Sequence, residues 1–150
     1  MKIGDYCKRA TVSVAADMDL VDAAKLMRDE HVGFLIAYAQ GDDIRKPVGV
    51  LTDRDIVLQV IAKEVEPHSV SVQDVMTRQP LIARESDDLS EALQAMRLAG
   101  IRRVPVVNTR GGLSGIFAMD DAIDVIAGMM CDLTGSIKSE QRQEWKARSA

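Results

Sequence analysis

The chain has 150 residues, a formal net charge of -4, 47% hydrophobic and 28% charged residues, and only 3% aromatic ones. That composition is ordinary for a globule filled by aliphatic residues and methionine; it argues against disorder and against nucleic-acid binding, which usually shows as a basic face. No stretch reaches the roughly 18 apolar residues of a membrane span, no basic and apolar leader opens the chain, and Cys7 and Cys131 lie in no ligand-like spacing, so a reducing cytoplasm and no metal are expected.

In chain order, "TVSV" at 11–14 reads as a short extended piece. Leu20, Ala23, Ala24 and Met27 then recur at the helical spacing, with Asp19 and Asp22 at the N-cap and N3 positions. "FLIAY" and "VGVL" follow as strands joined by the polar turn "QGDDIRK", whose Asp42 and Asp43 read as a solvated hairpin tip, not as a calcium loop. A second helix is expected from Arg54 to Lys63, and "EVEPHS", with Pro67, marks a linker.

The order then repeats. "PLIA" at 80–83 is extended, Leu89, Ala92, Leu93 and Met96 form a helical stripe behind Asp88 and Glu91, and "VPVV" and "LSGIF" are strands around "NTRGG". The second closing helix starts near Asp120, and its stripe of Ile123, Ile126, Met130, Leu133 and Ile137 runs into a polar C-terminal helix expected to break at Gly135. At one constant spacing "IGDYC" falls on "VQDVM", "DLVDAAKLM" on "DLSEALQAM", and "VGFLIAY" on "IRRVPVV"; after three extra residues in the first copy, Gly49 falls on Gly115. A repeated β-α-β-β-α unit is the reading, divided as unit 1 at 1–63, linker 64–71, unit 2 at 72–130 and a helical extension at 131–150. A half of about 60 residues leaves much of its sheet uncovered, so the two units are expected to pack sheet to sheet about a pseudo-twofold axis, an α+β (mixed α/β) architecture.

Within unit 1 "GVLTDRDIV" marks a strand running into a helix, and Gly49 lets that strand pass close to a neighbour. Thr52 and Asp55 fit an N-terminal capping box worth about 1 kcal/mol. Equally, free N–H groups at a helix start beside a hydroxyl suit a phosphate. In the second copy, "GIFAMDDAI", Asp121 matches Asp55 but Ala118 replaces Thr52. A lost neutral hydrogen bond is worth about 0.5–1.5 kcal/mol, a factor of roughly 2 to 13 in affinity. The Thr52 turn is therefore expected to hold a phosphate more tightly, and the Asp121 turn to be empty or to prefer a ligand with less phosphate.

Two tandem units with these motifs in order resemble paired cystathionine-β-synthase (CBS) domain proteins, the Bateman module, over about residues 1 to 130, and of the stand-alone kind. The resemblance implies an adenosine-ligand sensor: AMP, ADP, ATP, S-adenosylmethionine or NAD bound between the units, Thr52 on phosphate, Asp55 and Asp121 on ribose, and association as a homodimer. Arg102 and Arg103 are the candidates for phosphate charge, since a guanidinium fork suits phosphate oxygens. Adjacent strand residues face opposite ways, so one of them enters a cleft, with Arg103 ranked first. Adenine needs an apolar slot, for which Thr11, Val12, Pro80, Leu81, Val32 and Ile36 are the candidates, each equally readable as plain packing. Lys8 and Arg9 fall near the first slot and are expected to be solvated.

Catalysis is not expected. The histidines, His31 and His68, belong to no motif with a serine, cysteine or paired carboxylate. The alternative function is a structural or partner-docking module with vestigial clefts, in which the stripe from Ile123 to Ile137 and Trp145 meet an unidentified regulated protein.

Overall fold

The computed structural model describes residues 1–41 and 43–148; Asp42 of the expected hairpin tip and the last two residues of the expected extension lie outside the described residues. In chain order the first strands and helices are Ser13–Ala15 (β1), Leu20–Asp29 (α1), Phe34–Tyr38 (β2), Pro47–Thr52 (β3) and Asp53–Ile56 (α2), which passes into a π turn at Val57–Ile61. Then come Val72–Val75 (α3), Thr77–Arg78 (β4), Ala83–Arg84 (β5), Leu89–Ala99 (α4), Arg103–Val107 (β6), Leu113–Ala118 (β7) and Met119–Arg148 (α5). The architecture is mixed α/β, with one sheet ordered β1-β2-β3-β4 and another β5-β6-β7. In each, the first strand runs parallel to the second and the second antiparallel to the third.

The helices form where the spacing and caps dictate. Asp19 accepts from the N–H groups of Val21 (2.8 Å) and Asp22 (3.3 Å), and Asp88 from that of Ser90 (2.9 Å), which satisfies donors that a helix start leaves without partners. Leu20, Ala23 and Met27 of α1 and Leu89, Ala92 and Met96 of α4 are buried, whereas Ala24 and Leu93 are only half-buried. Strand alternation supplies the opposing surfaces: Leu35 and Ala37 enter the first core, Val104, Val106 and Phe117 the second. Ile36 and Pro105, at equivalent places on β2 and β6, are also buried, on the sheet faces turned away from these helical cores.

The packing crosses the chain order. Residues 1–8, which lead into unit 1, lie on unit 2, and residues 70–78, which lead into unit 2, lie on unit 1. Ile3 belongs to the second core and Val72 to the first, each with no exposed surface. The N–H groups of Leu20, Val72 and Gln73 bond to the carbonyls of Val70, Met18 and Ala16. At the repeat spacing those of Leu89, Ile3 and Gly4 bond to Met1, Asp87 and Glu85. β4 pairs with β3 through Thr77 opposite Val50, and Lys8 takes the same place opposite Ile116 of β7. This reciprocal exchange gives physical content to the expected pseudo-twofold relation.

Three expectations shift. The first strands sit later than "TVSV" and "PLIA", at Ser13–Ala15 and Ala83–Arg84. The helix expected at 54–63 holds only one α turn before the Ala62 N–H bonds five residues back to Val57, a π turn. No break occurs at Gly135, since α5 runs unbroken to Arg148. A single glycine costs a helix about 1 kcal/mol, too little to interrupt 30 residues.

Candidate functional site

The turn from β3 into α2 is closed by its own side chains. Asp55 Oδ2 accepts from the Thr52 N–H at 2.8 Å and from the Thr52 hydroxyl at 2.7 Å, while Thr52 Oγ1 accepts from the Asp55 N–H at 3.0 Å. The capping box is therefore real. It leaves the second carboxylate oxygen, Oδ1, without a partner among the described residues, on a half-buried side chain at the end of a sheet. Such an oxygen can accept a hydroxyl from outside while its twin holds the turn.

The equivalent turn from β7 into α5 is built differently. Asp121 is 6% exposed; its Oδ2 accepts from the Ala118 N–H at 2.9 Å, and its Oδ1 lies 2.8 Å from Lys8 Nζ. The Lys8 backbone is pinned by two hydrogen bonds with Ile116, its N–H to the carbonyl at 2.8 Å and its carbonyl from the N–H at 2.9 Å. Its side chain remains 66% exposed. The hydrogen bond to Asp121 holds the Lys8 ammonium above its ordinary pKa, the expected response to a partnered carboxylate.

The other candidates divide between these turns. Phe34 pairs with Thr52, and Ile36 with Val50, so Ile36 shares the sheet face of Thr52. The Val12 carbonyl accepts from the Ile36 N–H at 3.2 Å, which brings the chain at Thr11 and Val12 alongside; the Val12 and Val32 side chains pack against the first core. Arg103 pairs with Ala118 in the second unit, and the Arg102 carbonyl accepts from the Met119 N–H. Both guanidinium groups belong to exposed residues. Register places Arg103 on the face of Ala118, Ile116 and Lys8. Pro80 and Leu81 precede β5, and Leu81 borders a small cavity of about 190 Å³ shared with Ala92 and Val104.

One expectation about the neighbourhood fails. Lys8 is exposed as expected but does not stand beside the first slot; the exchange of leading segments carries it to Asp121 in the other unit. The physical reason is burial: Asp121 lacks the hydroxyl that accompanies Asp55, and a carboxylate only 6% exposed needs another donor. Arg9 is likewise engaged, by Glu85, Ser114 and the Gly4 carbonyl. Larger clefts of about 740 and 940 Å³ lie elsewhere, against Gln73 and Arg78 in one and Arg9 and Arg110 in the other, and neither is lined by Thr52, Asp55 or Asp121.

Among the described residues no helix is long and apolar enough to cross a membrane. The chain is 29% identical over 144 residues to an uncharacterized protein of Methanopyrus kandleri, covering 95% of this chain and 71% of that one. It is 34% identical over 104 residues to an uncharacterized protein of Bacillus subtilis, covering 69% and 67%. In structure it resembles a CBS domain protein of Pyrobaculum aerophilum complexed with AMP, at 26% identity and a TM-score of 0.72, covering 81% of this chain and 89% of that one. The CBS domain model itself matches twice, at residues 3–61 and 72–128, so the chain belongs to the CBS domain family, as a tandem pair whose leading segments are exchanged between the repeats.

Proposed function

We propose that this protein is a regulatory, non-catalytic binder of an adenosine nucleotide, AMP, ADP or ATP in the first instance and S-adenosylmethionine or NAD in the second, held between its two units. The observation that carries the reading is the Thr52 turn: the capping box holds Asp55 in place through Oδ2 and leaves Oδ1 available to a ribose hydroxyl. The AMP carried by the Pyrobaculum aerophilum relative supports the ligand class. Ile36, Thr11 and Val12 would form the adenine slot at this turn, Pro80 and Leu81 at the other. A ligand touching both units can bias their arrangement only through different affinities for two arrangements, and a regulated partner protein, in the cytoplasm, would read that bias.

Thermal unfolding of nucleotide-free protein tests it. Ligand at about 100 times its dissociation constant adds about 2.7 kcal/mol, which raises Tm by about 5–11 °C. Asp55→Ala is expected to remove most of that rise. No rise with any of the five ligands would overturn the reading.

The partner-docking reading has its own observation. On α5 the stripe of Ile123, Ile126, Met130, Leu133 and Ile137 is 52–67% exposed, and Trp145 is 75% exposed. A second copy of this chain is the proposed cover, giving a homodimer. Deleting residues from 132 onward is expected to leave a monomer by light scattering; a truncated chain that is still a dimer would show that this helix does not carry assembly.

A further inference from the structure

The two turns differ less in what the second lacks than in what it has gained. At the repeat spacing Lys8 corresponds to Thr77, and Arg103 to Phe34. Lys8 sits opposite Ile116 as Thr77 sits opposite Val50, and Arg103 opposite Ala118 as Phe34 opposite Thr52. The Asp121 turn thus carries two cations on one sheet face where the Asp55 turn carries none at the matching positions. Asp120 and Asp124, in the first turns of α5, also act on Lys8, but among the described residues its ion pair is with Asp121.

We infer that Lys8 is the residue that makes the Asp121 turn selective for phosphorylated adenosine ligands. This rests on the proposed adenosine reading and reverses the expectation that the second cleft prefers ligands with less phosphate. The reason is competition for one oxygen. Asp121 Oδ2 is committed to the Ala118 N–H, and Oδ1 to Lys8. A neutral nucleoside must compete with the ammonium for Oδ1 and offers it no anion in exchange. A phosphate on the same ligand takes the ammonium as it leaves, and Oδ1 then accepts the ribose hydroxyls. The exposed lysine stem makes the swing inexpensive, while the pinned backbone keeps the ammonium within reach. At the Asp55 turn Oδ1 has no cation on it, so no phosphate is needed to free it.

The signature is a pair of effects of opposite sign. In nucleotide-free protein carrying Asp55→Asn, which isolates the second turn, calorimetric titration is expected to give AMP at least about tenfold tighter than adenosine. Adding Lys8→Met is expected to weaken AMP by about tenfold and to strengthen adenosine several-fold; Lys8→Gln should behave alike. If Asp55→Asn does not fold, the Ala118 and Asp121 amide resonances of protein otherwise wild-type report the same turn. An unchanged AMP to adenosine ratio, or both affinities falling together as they would for a merely structural lysine, overturns the inference. So does loss of all binding in Asp55→Asn while the wild type still binds, which leaves the adenosine reading standing. No binding by the wild type refutes that reading itself.

Discussion

Replacing Ile3 by alanine is expected to lower the free energy of unfolding by about 2–5 kcal/mol, and the damage should appear in the second unit although Ile3 leads into the first. Ile3 has no exposed surface and sits in the core with Leu89, Met96, Val104 and Phe117. Its N–H also bonds to the Asp87 carbonyl at 2.9 Å. Shortening the side chain leaves a cavity where the 3-10 turn of residues 3–5 closes over β5, β6 and α4. A domain of this size is stable by only about 5–15 kcal/mol, so the loss is a large share. Urea unfolding gives the magnitude, and amide exchange gives the place: protection should fall first in β6 and β7. Val72→Ala is the mirror experiment, costing about 2 kcal/mol and loosening β2 and β3. Loss of protection in β2 and β3 on Ile3→Ala would contradict the exchanged packing.

That exchange bears on how the proposed ligand would be felt at a distance. The strand that ends in Thr52 is flanked by Thr77 and Arg78, and the strand that ends in Ala118 by Lys8. Each candidate turn therefore leans on the segment that introduces the other unit. A shift of one unit against the other changes the support of both turns, which is the differential contact any two-state response requires.

Much of this was legible in the chain itself because the repeat states each pattern twice. Helical spacing located α1 and α4, their aspartate caps fixed where they begin, and short apolar runs bounded by polar turns found β2, β3, β6 and β7. The capping geometry at Thr52 and Asp55 followed from residue types at fixed spacing, a purely local matter. Partners across the units were not local. Nothing in "IGDYCKRA" says which sheet it joins, since Ile3 suits either core and Lys8 reads as a solvated charge until its strand partner is known. The repeat shows that "IGDYC" and "VQDVM" are alike without showing that each serves the other's unit. The unbroken α5 was missed for an energetic reason, since a glycine costs only about 1 kcal/mol within a helix of 30 residues.

Gly115→Ala tests the crossing at its tightest point. A Cβ there would meet the Lys8 carbonyl oxygen at 2.6 Å and Cys7 Sγ at 3.0 Å. The carbonyl cannot turn aside, because it accepts from the Ile116 N–H and the Lys8 N–H bonds back to Ile116. Overpacking costs about 1–3 kcal/mol, and strain on two hydrogen bonds of about 0.5–1.5 kcal/mol each adds to it, so a loss of about 2–6 kcal/mol is expected. Gly49, its counterpart, differs in what lies nearest: an added Cβ would first meet the Met76 side chain, at 2.2 Å from Sδ. Thioether stems adapt, so Gly49→Ala should cost less, about 1–2 kcal/mol. The glycine that opens each motif is therefore kept for the close passage of the other unit's leading segment, as the sequence suggested for a neighbour it could not name. Urea denaturation of the two variants decides it. Equal losses, or a Gly115→Ala loss below about 0.5 kcal/mol, would mean that the leading segment moves freely over β7 and does not hold Lys8 on Asp121.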